Sequence, residues 1–175
     1  MARMLFRELE QRQSIDLFSA GLEKSPEWST ASLFGDERGK MFGVLECIDA
    51  SGSPSWLYAF SGQFNGQWLV EGWAPPLFDV PSFNTVNTPA EKEIKALSAI
   101  IQSIAADDSR KSSLKRQRRQ QSRNLMRKLH GLYSISNFRE QSVGLDEAFA
   151  DSRGKPTGTG DCCAPKLLNF AAQNN

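Results

Sequence analysis

Between Asp108 and Glu140 the chain has no acidic residue, while Arg110, Lys111, Lys115, Arg116, Arg118, Arg119, Arg123, Arg127, Lys128 and Arg139 place ten cations there. No other feature limits the fold as much. Ten like charges cannot enter a core without counter-charges, so this interval must run along a surface. The chain has 21 basic and 20 acidic residues; without the ten, 11 basic residues face 20 acidic ones, a net of −9. The overall charge of +1 therefore conceals a negative body with a strongly positive segment inside it. Such asymmetry speaks to partners more than to architecture.

The segment itself reads as a helix. From Ser113 to Leu132 the composition favours helix, with Leu114, Leu125, Leu129 and Leu132 towards one side. Arg116, Arg119, Arg123 and Arg127 recur at intervals of three and four and line up along another face. Gly131 is a natural stop. Upstream, Thr88-Pro89-Ala90-Glu91 predicts a helix start: a capping hydroxyl, a first-turn proline and a glutamate completing a capping box. Ile94, Leu97, Ile101 and Ile104 follow as an apolar stripe. Ala105 to Ser109 suits either a turn between two antiparallel helices or one continuous projecting arm. A projecting arm would admit a homodimer with paired stripes.

Elsewhere the pattern is mixed. Leu5, Leu9, Ile15, Phe18 and Leu22 predict a short amphipathic helix within 4–22. Lys40 to Ile48 reads as a strand, Ser51-Gly52-Ser53-Pro54 as a turn, and Ser55 to Ser61 as a second strand with Trp56, Tyr58 and Phe60 alternating. Asn65-Gly66 suits a tight hairpin turn leading to a third strand from Trp68. Pro75, Pro76 and Pro81 punctuate an irregular connector over 73–87, and 134–160 reads as loop. A last helix begins near Asp161 with Pro165 in its first turn; an apolar helix running to the chain end is read as a fragment's edge. The expectation is an α+β fold: a small antiparallel β meander, long helices of which the second is arginine-rich, and a short C-terminal helix. The expected divisions are 1–87, 88–133 and 134–175.

Candidate chemistry centres on binding. Helical rows of cations track a phosphate backbone, and arginine grips phosphate bidentately. The nucleic-acid-binding candidates are Arg110, Lys111, Lys115, Arg116, Arg118, Arg119, Arg123, Arg127 and Lys128. The bland counterpart is a solvated helix in a helical hairpin, its arginines paired with the acidic body. Trp56, Tyr58, Phe60, Phe64, Trp68 and Trp73 could stack bases, but a hairpin packing its aromatics into a core is the preferred reading. Gly158-Thr159-Gly160-Asp161 before a helix lacks the full glycine spacing and the lysine-serine/threonine pair of a phosphate loop, and reads as a turn. Cys47, Cys162 and Cys163 form no disulfide framework, and with the single His130 they close no four-ligand metal site. Asp146, Glu147 and Asp151 show no paired spacing. No catalytic residue, metal or cofactor is assigned. No signal peptide and no apolar stretch of membrane-spanning length is present, and cysteine usage suits a reducing compartment. The expectation is a soluble, cytoplasmic protein with no membrane partner.

Several blocks carry a family likeness. Gly39-Lys40-Met41-Phe42-Gly43-Val44-Leu45, Ala59-Phe60-Ser61-Gly62, Pro75-Pro76-Leu77-Phe78-Asp79, Gly131-Leu132-Tyr133 and Asn137-Phe138-Arg139 resemble the amino-terminal region of a subgroup of RluA-type RNA pseudouridine synthases. The most specific block is Pro156-Thr157-Gly158-Thr159-Gly160-Asp161-Cys162-Cys163-Ala164-Pro165-Lys166-Leu167-Leu168. The resemblance implies an extension preceding a catalytic domain that isomerises uridine to pseudouridine in RNA without metal or organic cofactor. The family's catalytic aspartate lies in an Arg-Leu-Asp motif; none occurs here, and Gly144-Leu145-Asp146 is no substitute. Further cysteines follow the double-cysteine block in that subgroup, which leaves open a metal site completed downstream.

Three functions remain in play at this stage. One is an RNA-contacting accessory part of a pseudouridine synthase, with rRNA and tRNA not distinguished. Another is an interaction domain packing on its own C-terminal catalytic domain or on a second copy. The third is an independent small-molecule enzyme.

Overall fold

A two-stranded hairpin is marginal in water unless its faces are covered, and covering both faces organises the first part of this protein. The computed structural model describes residues 1–18, 25–34, 39–48, 51–149 and 158–174. β1 (Phe42–Ile48) and β2 (Pro54–Phe60) pair antiparallel in the register Phe42↔Phe60 to Ile48↔Pro54. Successive side chains on a strand point to opposite faces. Phe42, Val44, Tyr58 and Phe60 accordingly join one core, whose buried members include Leu5, Leu9, Ile15, Phe64 and Trp73. Leu45, Leu57 and Ala59 join another, with Ala74, Cys163 and Leu167.

The first face is covered by α1 (Ala2–Arg12), which buries Leu5 and Leu9 four residues apart. The predicted helix over 4–22 stops early: Gln13 turns left-handed at φ 51°. Ile15 is fully buried, but off the helix, with its N–H bonded to Trp28 O at 2.9 Å. Leu22 lies outside the described residues. Thr30, also fully buried, bonds its Oγ1 to Leu9 O at 2.9 Å, and Trp73 Nε1 donates to Ile15 O at 2.8 Å. Phe60 and Trp73 meet at 5.6 Å between ring centroids.

The expected meander has two strands, not three. Asn65 and Gly66 do take positive φ (46° and 83°), and Phe64 and Gln67 exchange both backbone hydrogen bonds at 2.8 Å. Pairing ends there. Gly72, at φ 76°, turns the chain back so that Trp73 bridges Tyr58 in parallel, and Pro75 and Pro76 have no N–H to extend a ladder. The helix α5 (Cys163–Asn174) covers the second face, with Pro165 in its first turn as expected. Its approach depends on Gly43: a Cβ there would lie 2.7 Å from Cys163 Cβ.

α2 (Val80–Ser103) begins eight residues before Thr88-Pro89, the expected start. Asp79 caps it by accepting Ser82 N–H at 2.9 Å, and Pro81 occupies the first turn. Pro89 therefore sits inside the helix, where the lost hydrogen bond and ring clash cost about 3 kcal/mol. The turns before it are held by Phe83, buried and stacked on Phe78 with centroids 4.3 Å apart. α3 (Lys111–His130) matches the predicted basic helix. The connector breaks helical geometry at Ile104 (ψ 151°), and α2 and α3 pack as a helical hairpin. That excludes the continuous arm. α3 ends in a tightened turn, with Gly131 itself in right-handed geometry. The loop expected over 134–160 contains β3 (Ser134–Ser136) paired with β4 (Ser142–Gly144), then α4 (Leu145–Ala148).

The α+β class is as expected from the sequence. The chain forms two compact units, one of Met1–Leu77, Ile135–Val143 and Asp151–Asn175, the other of Phe78–Ser134 and Gly144–Ala150. Within the first, α5 holds the small hairpin through Ser136 N–H to Asn169 Oδ1 at 2.7 Å.

Gly43→Ala forces its new methyl against the backbone-anchored Cβ of Cys163, so it should destabilise the first unit by about 1–3 kcal/mol. Urea unfolding followed by circular dichroism measures this; an unchanged midpoint would contradict the close packing of α5 on β1.

Candidate nucleic-acid interface

A helix turns 100° per residue, which separates the two sides of α3. Leu125 and Leu129 are the buried residues of α3, and Leu125 lines a cleft with Val86 and Ala90 of α2. Arg116, Arg119, Arg123 and Arg127 fall opposite them and are exposed. With a rise of 1.5 Å per residue, this row is about 16 Å long and its positions are about 4.5–6 Å apart along the axis. Lys115 and Lys128 are exposed on the flanks, and Arg118, which projects between Leu125 and Leu129, is exposed about two turns before Leu125.

The nine candidate residues divide into two groups. Arg110 and Lys111 serve the connector. Arg110 Nη2 pairs with Asp108 Oδ2 at 2.8 Å, and its Nε reaches Oδ1 at 3.1 Å. Hydrogen bonds from Arg110 hold the Asp108 carboxyl down at about 2. Lys111 Nζ donates to the carbonyls of Ile104 and Ala105, the first connector residues after α2, at 3.0 and 3.3 Å. The other seven, Lys115, Arg116, Arg118, Arg119, Arg123, Arg127 and Lys128, have no ion-pair partner among the described residues. Of the bland reading, the helical hairpin is present, while pairing of these seven with acidic residues is not seen among the described residues. Arg139 lies off the helix, in the β3–β4 turn, its N–H bonded to Asn137 Oδ1 at 2.8 Å.

The aromatic set divides differently. Phe60, Phe64, Trp68 and Trp73 are buried, Tyr58 is half-buried, and of the six only Trp56 is exposed. These rings are core, as the preferred sequence reading had it. A cleft beside them, lined by Met4, Glu8, Arg12 and Tyr58 among others, encloses about 190 Å³, below the roughly 300–1,000 Å³ of small-molecule sites.

The double-cysteine block closes the first unit. Gly158 and Gly160 take positive φ (79° and 92°), and Asp161 O accepts Gly62 N–H at 2.8 Å, so Gly-Thr-Gly-Asp is a turn tied to the end of β2. Pro156 and Thr157 lie outside the described residues. Cys163 Sγ points at Met41 O and Ala59 O, 3.4 and 3.6 Å away. Burial raises the Cys163 thiol above its ordinary value, with Lys166 opposing. The sulfur is turned into the sheet, against two backbone carbonyls.

The residue the sequence reading missed is Lys166, fully buried on α5. Its Nζ donates to Phe60 O at 3.0 Å and Gly62 O at 3.1 Å and lies 4.9 Å from the Phe60 ring centroid. Burial lowers its pKa to about 8, against the pull of Asp161. Half-buried Lys40, which donates to Gln63 O, is likewise lowered by burial. The signal was present: Cys163, Lys166, Leu167, Phe170 and Ala171 follow one helical stripe, and a lysine on an apolar stripe must find acceptors.

No protein-family model, characterised protein or solved structure matches this chain. Among the described residues no helix is long and apolar enough to cross a membrane, and no cluster of three or more His, Cys, Asp or Glu could hold a metal ion.

The lowered Lys166 pKa fixes a direction. The unfolded lysine holds its proton up to 10.5, while the folded one releases it near 8. Between these values the unfolded state binds more protons, so stability rises with pH; below both, the burial penalty is fully present. From pH 7 to pH 9 the gain should be about 1 kcal/mol. Above pH 9 ionisation of Cys163 in the unfolded chain opposes it. Urea titrations at pH 7 and 9 test this. A Lys166→Met variant should lose the gain; the same slope in both proteins would sink the assignment.

Proposed function

We propose that this chain is a non-catalytic, cytoplasmic accessory part of an RNA pseudouridine synthase and contacts RNA through α3. One observation carries the RNA contact: seven exposed cations along a single helix without an acidic partner among the described residues. Each phosphate such a row neutralises releases condensed counterions, which makes binding favourable and salt-dependent. An internal acidic partner would have spent that charge within the fold.

The family reading rests on the sequence blocks. What supports it structurally is that the most specific block is integral to the first unit: Cys163 meets Gly43, and Lys166 ties the end of β2. The resembling Gly39–Leu45 and Ala59–Gly62 blocks supply those contacts. Such mutual dependence is expected of motifs that constrain a common fold. Without Arg-Leu-Asp the chain supplies no catalytic aspartate, so isomerisation falls to a separate domain, which would be its natural protein partner.

Reversing Arg116, Arg119, Arg123 and Arg127 to glutamate removes four phosphate contacts. Fluorescence anisotropy with a structured RNA should show the wild-type affinity falling about 100-fold from 50 to 200 mM salt on those contacts alone. The variant should have lost that part of the slope. Equal affinities of the two proteins at low salt would end the proposal.

A further inference from the structure

Resting on the reading of α3 as an RNA contact, we propose that its partner is helical, A-form RNA, held along one strand. The arginine row meets successive phosphates, and Gln117, Gln120 and Asn124 meet the 2′-hydroxyls beside them. Three features of α3 lead there.

The first is rigidity. The row is fixed on a helix packed against α2, so its positions are about 4.5–6 Å apart along the axis and within an arc of about 80°. A row held in this way complements a strand whose phosphates are themselves held in place, as in a duplex. An unpaired strand would have to give up conformational freedom to match it.

The second is what the face lacks. Unpaired RNA is captured by splaying its bases onto aromatic rings, and α3 contains no Phe, Tyr or Trp. The aromatic rings of β2 and its following turn are largely committed to the core. Duplex RNA needs no such platform, since it is recognised by shape, phosphate and 2′-hydroxyl contacts across its wide minor groove.

The third distinguishes RNA from DNA. On the helical projection Gln120 and Asn124 fall about 40° and 80° from Arg116, beside the guanidiniums, with Asn124 also bordering the cleft to α2; Gln117, about 100° from Arg116 and 80° from Leu125, lies at the edge of that face. All three are exposed. Gln120 Nε2 donates to Asn124 Oδ1 at 3.0 Å, which aligns the two amides and leaves Gln120 Oε1 and Asn124 Nδ2 open. Amides both donate and accept, as a 2′-hydroxyl requires. A face serving phosphate alone has no use for a row of amides next to its arginines.

The test uses the intact chain and three labelled probes at one salt concentration: an RNA duplex of about 20 base pairs, the DNA duplex of the same sequence, and oligouridine of equal length. The RNA duplex should bind about tenfold tighter than oligouridine and several-fold tighter than the DNA duplex. In a Gln117→Ala, Gln120→Ala, Asn124→Ala variant, the preference for RNA over DNA should vanish while the salt slope stays as in the wild type. Circular dichroism confirms that helix content is retained, and the wild-type comparison stands without the variant. Oligouridine binding as tightly as the duplex overturns the proposal, and so does equal affinity for the two duplexes. Both results would leave RNA contact by α3 intact. Failure of every probe to bind would instead remove the underlying reading.

Discussion

The first unit depends on one contact: α5 lying flat on a hairpin too small to stand alone. Two strands bury little by themselves, so both faces of β1 and β2 need partners. α1 and the aromatic turn cover one face, α5 the other. The α5 contact is close because Gly43 has no side chain, and it is oriented because Lys166 enters the core to reach Phe60 O and Gly62 O. A buried ammonium is costly, and the lowered pKa reports that cost. In return Phe60 O at the end of β2 and Gly62 O in the turn beyond it are satisfied. The missing strand and the buried lysine are linked at Phe60, whose carbonyl is taken by α5 and not by a third strand.

That link explains where sequence reasoning succeeded and where it failed. Regular, local signals were legible: the strand alternation over 42–60, the Asn65-Gly66 turn and the acid-free helix at 111–130. The third strand was not, because its loss is decided by Gly72 and by where Trp73 is needed, and both are tertiary matters. The start of α2 was misread for a similar reason. Thr88-Pro89-Ala90-Glu91 carries every local mark of an N-terminus, but burial of Phe83 supports two further turns. A proline penalty of about 3 kcal/mol is within reach of one well-packed aromatic. On the candidate interface, the arginine face followed from spacing alone. The withdrawal of Arg110 and Lys111 into the connector did not, because it requires knowing that α2 ends at Ser103 and that the connector then offers Asp108 and the Ile104 and Ala105 carbonyls as partners.

The connector shows how the protein manages its charge asymmetry. Asp108 is the last acid before the positive interval, and its fork with Arg110 anchors the turn before α3. Lysine and arginine at a helix N-terminus oppose the macrodipole. Here the two nearest cations are drawn off, one by a carboxylate and one by two carbonyls of the connector. At the other end Arg127, Lys128 and His130 sit where the dipole favours positive charge. The ends of α3 are thus electrostatically accommodated, and the middle is not.

The middle is where function has to be sought. Arg119 and Arg123, and Arg123 and Arg127, are like charges one turn apart, and each such pair costs about 0.2–0.5 kcal/mol. Natural surfaces usually relieve this by interspersing glutamate, and α3 contains none. Packing on α2 offsets the strain without removing it. A polyanion would remove it, so the repulsion stored along α3 adds to the affinity for any ligand that neutralises the row. By linkage the same ligand must stabilise the helix that binds it. A face that only kept the protein soluble would gain nothing from collecting its charge on a single line, because dispersed charge of the same total does that work with less repulsion.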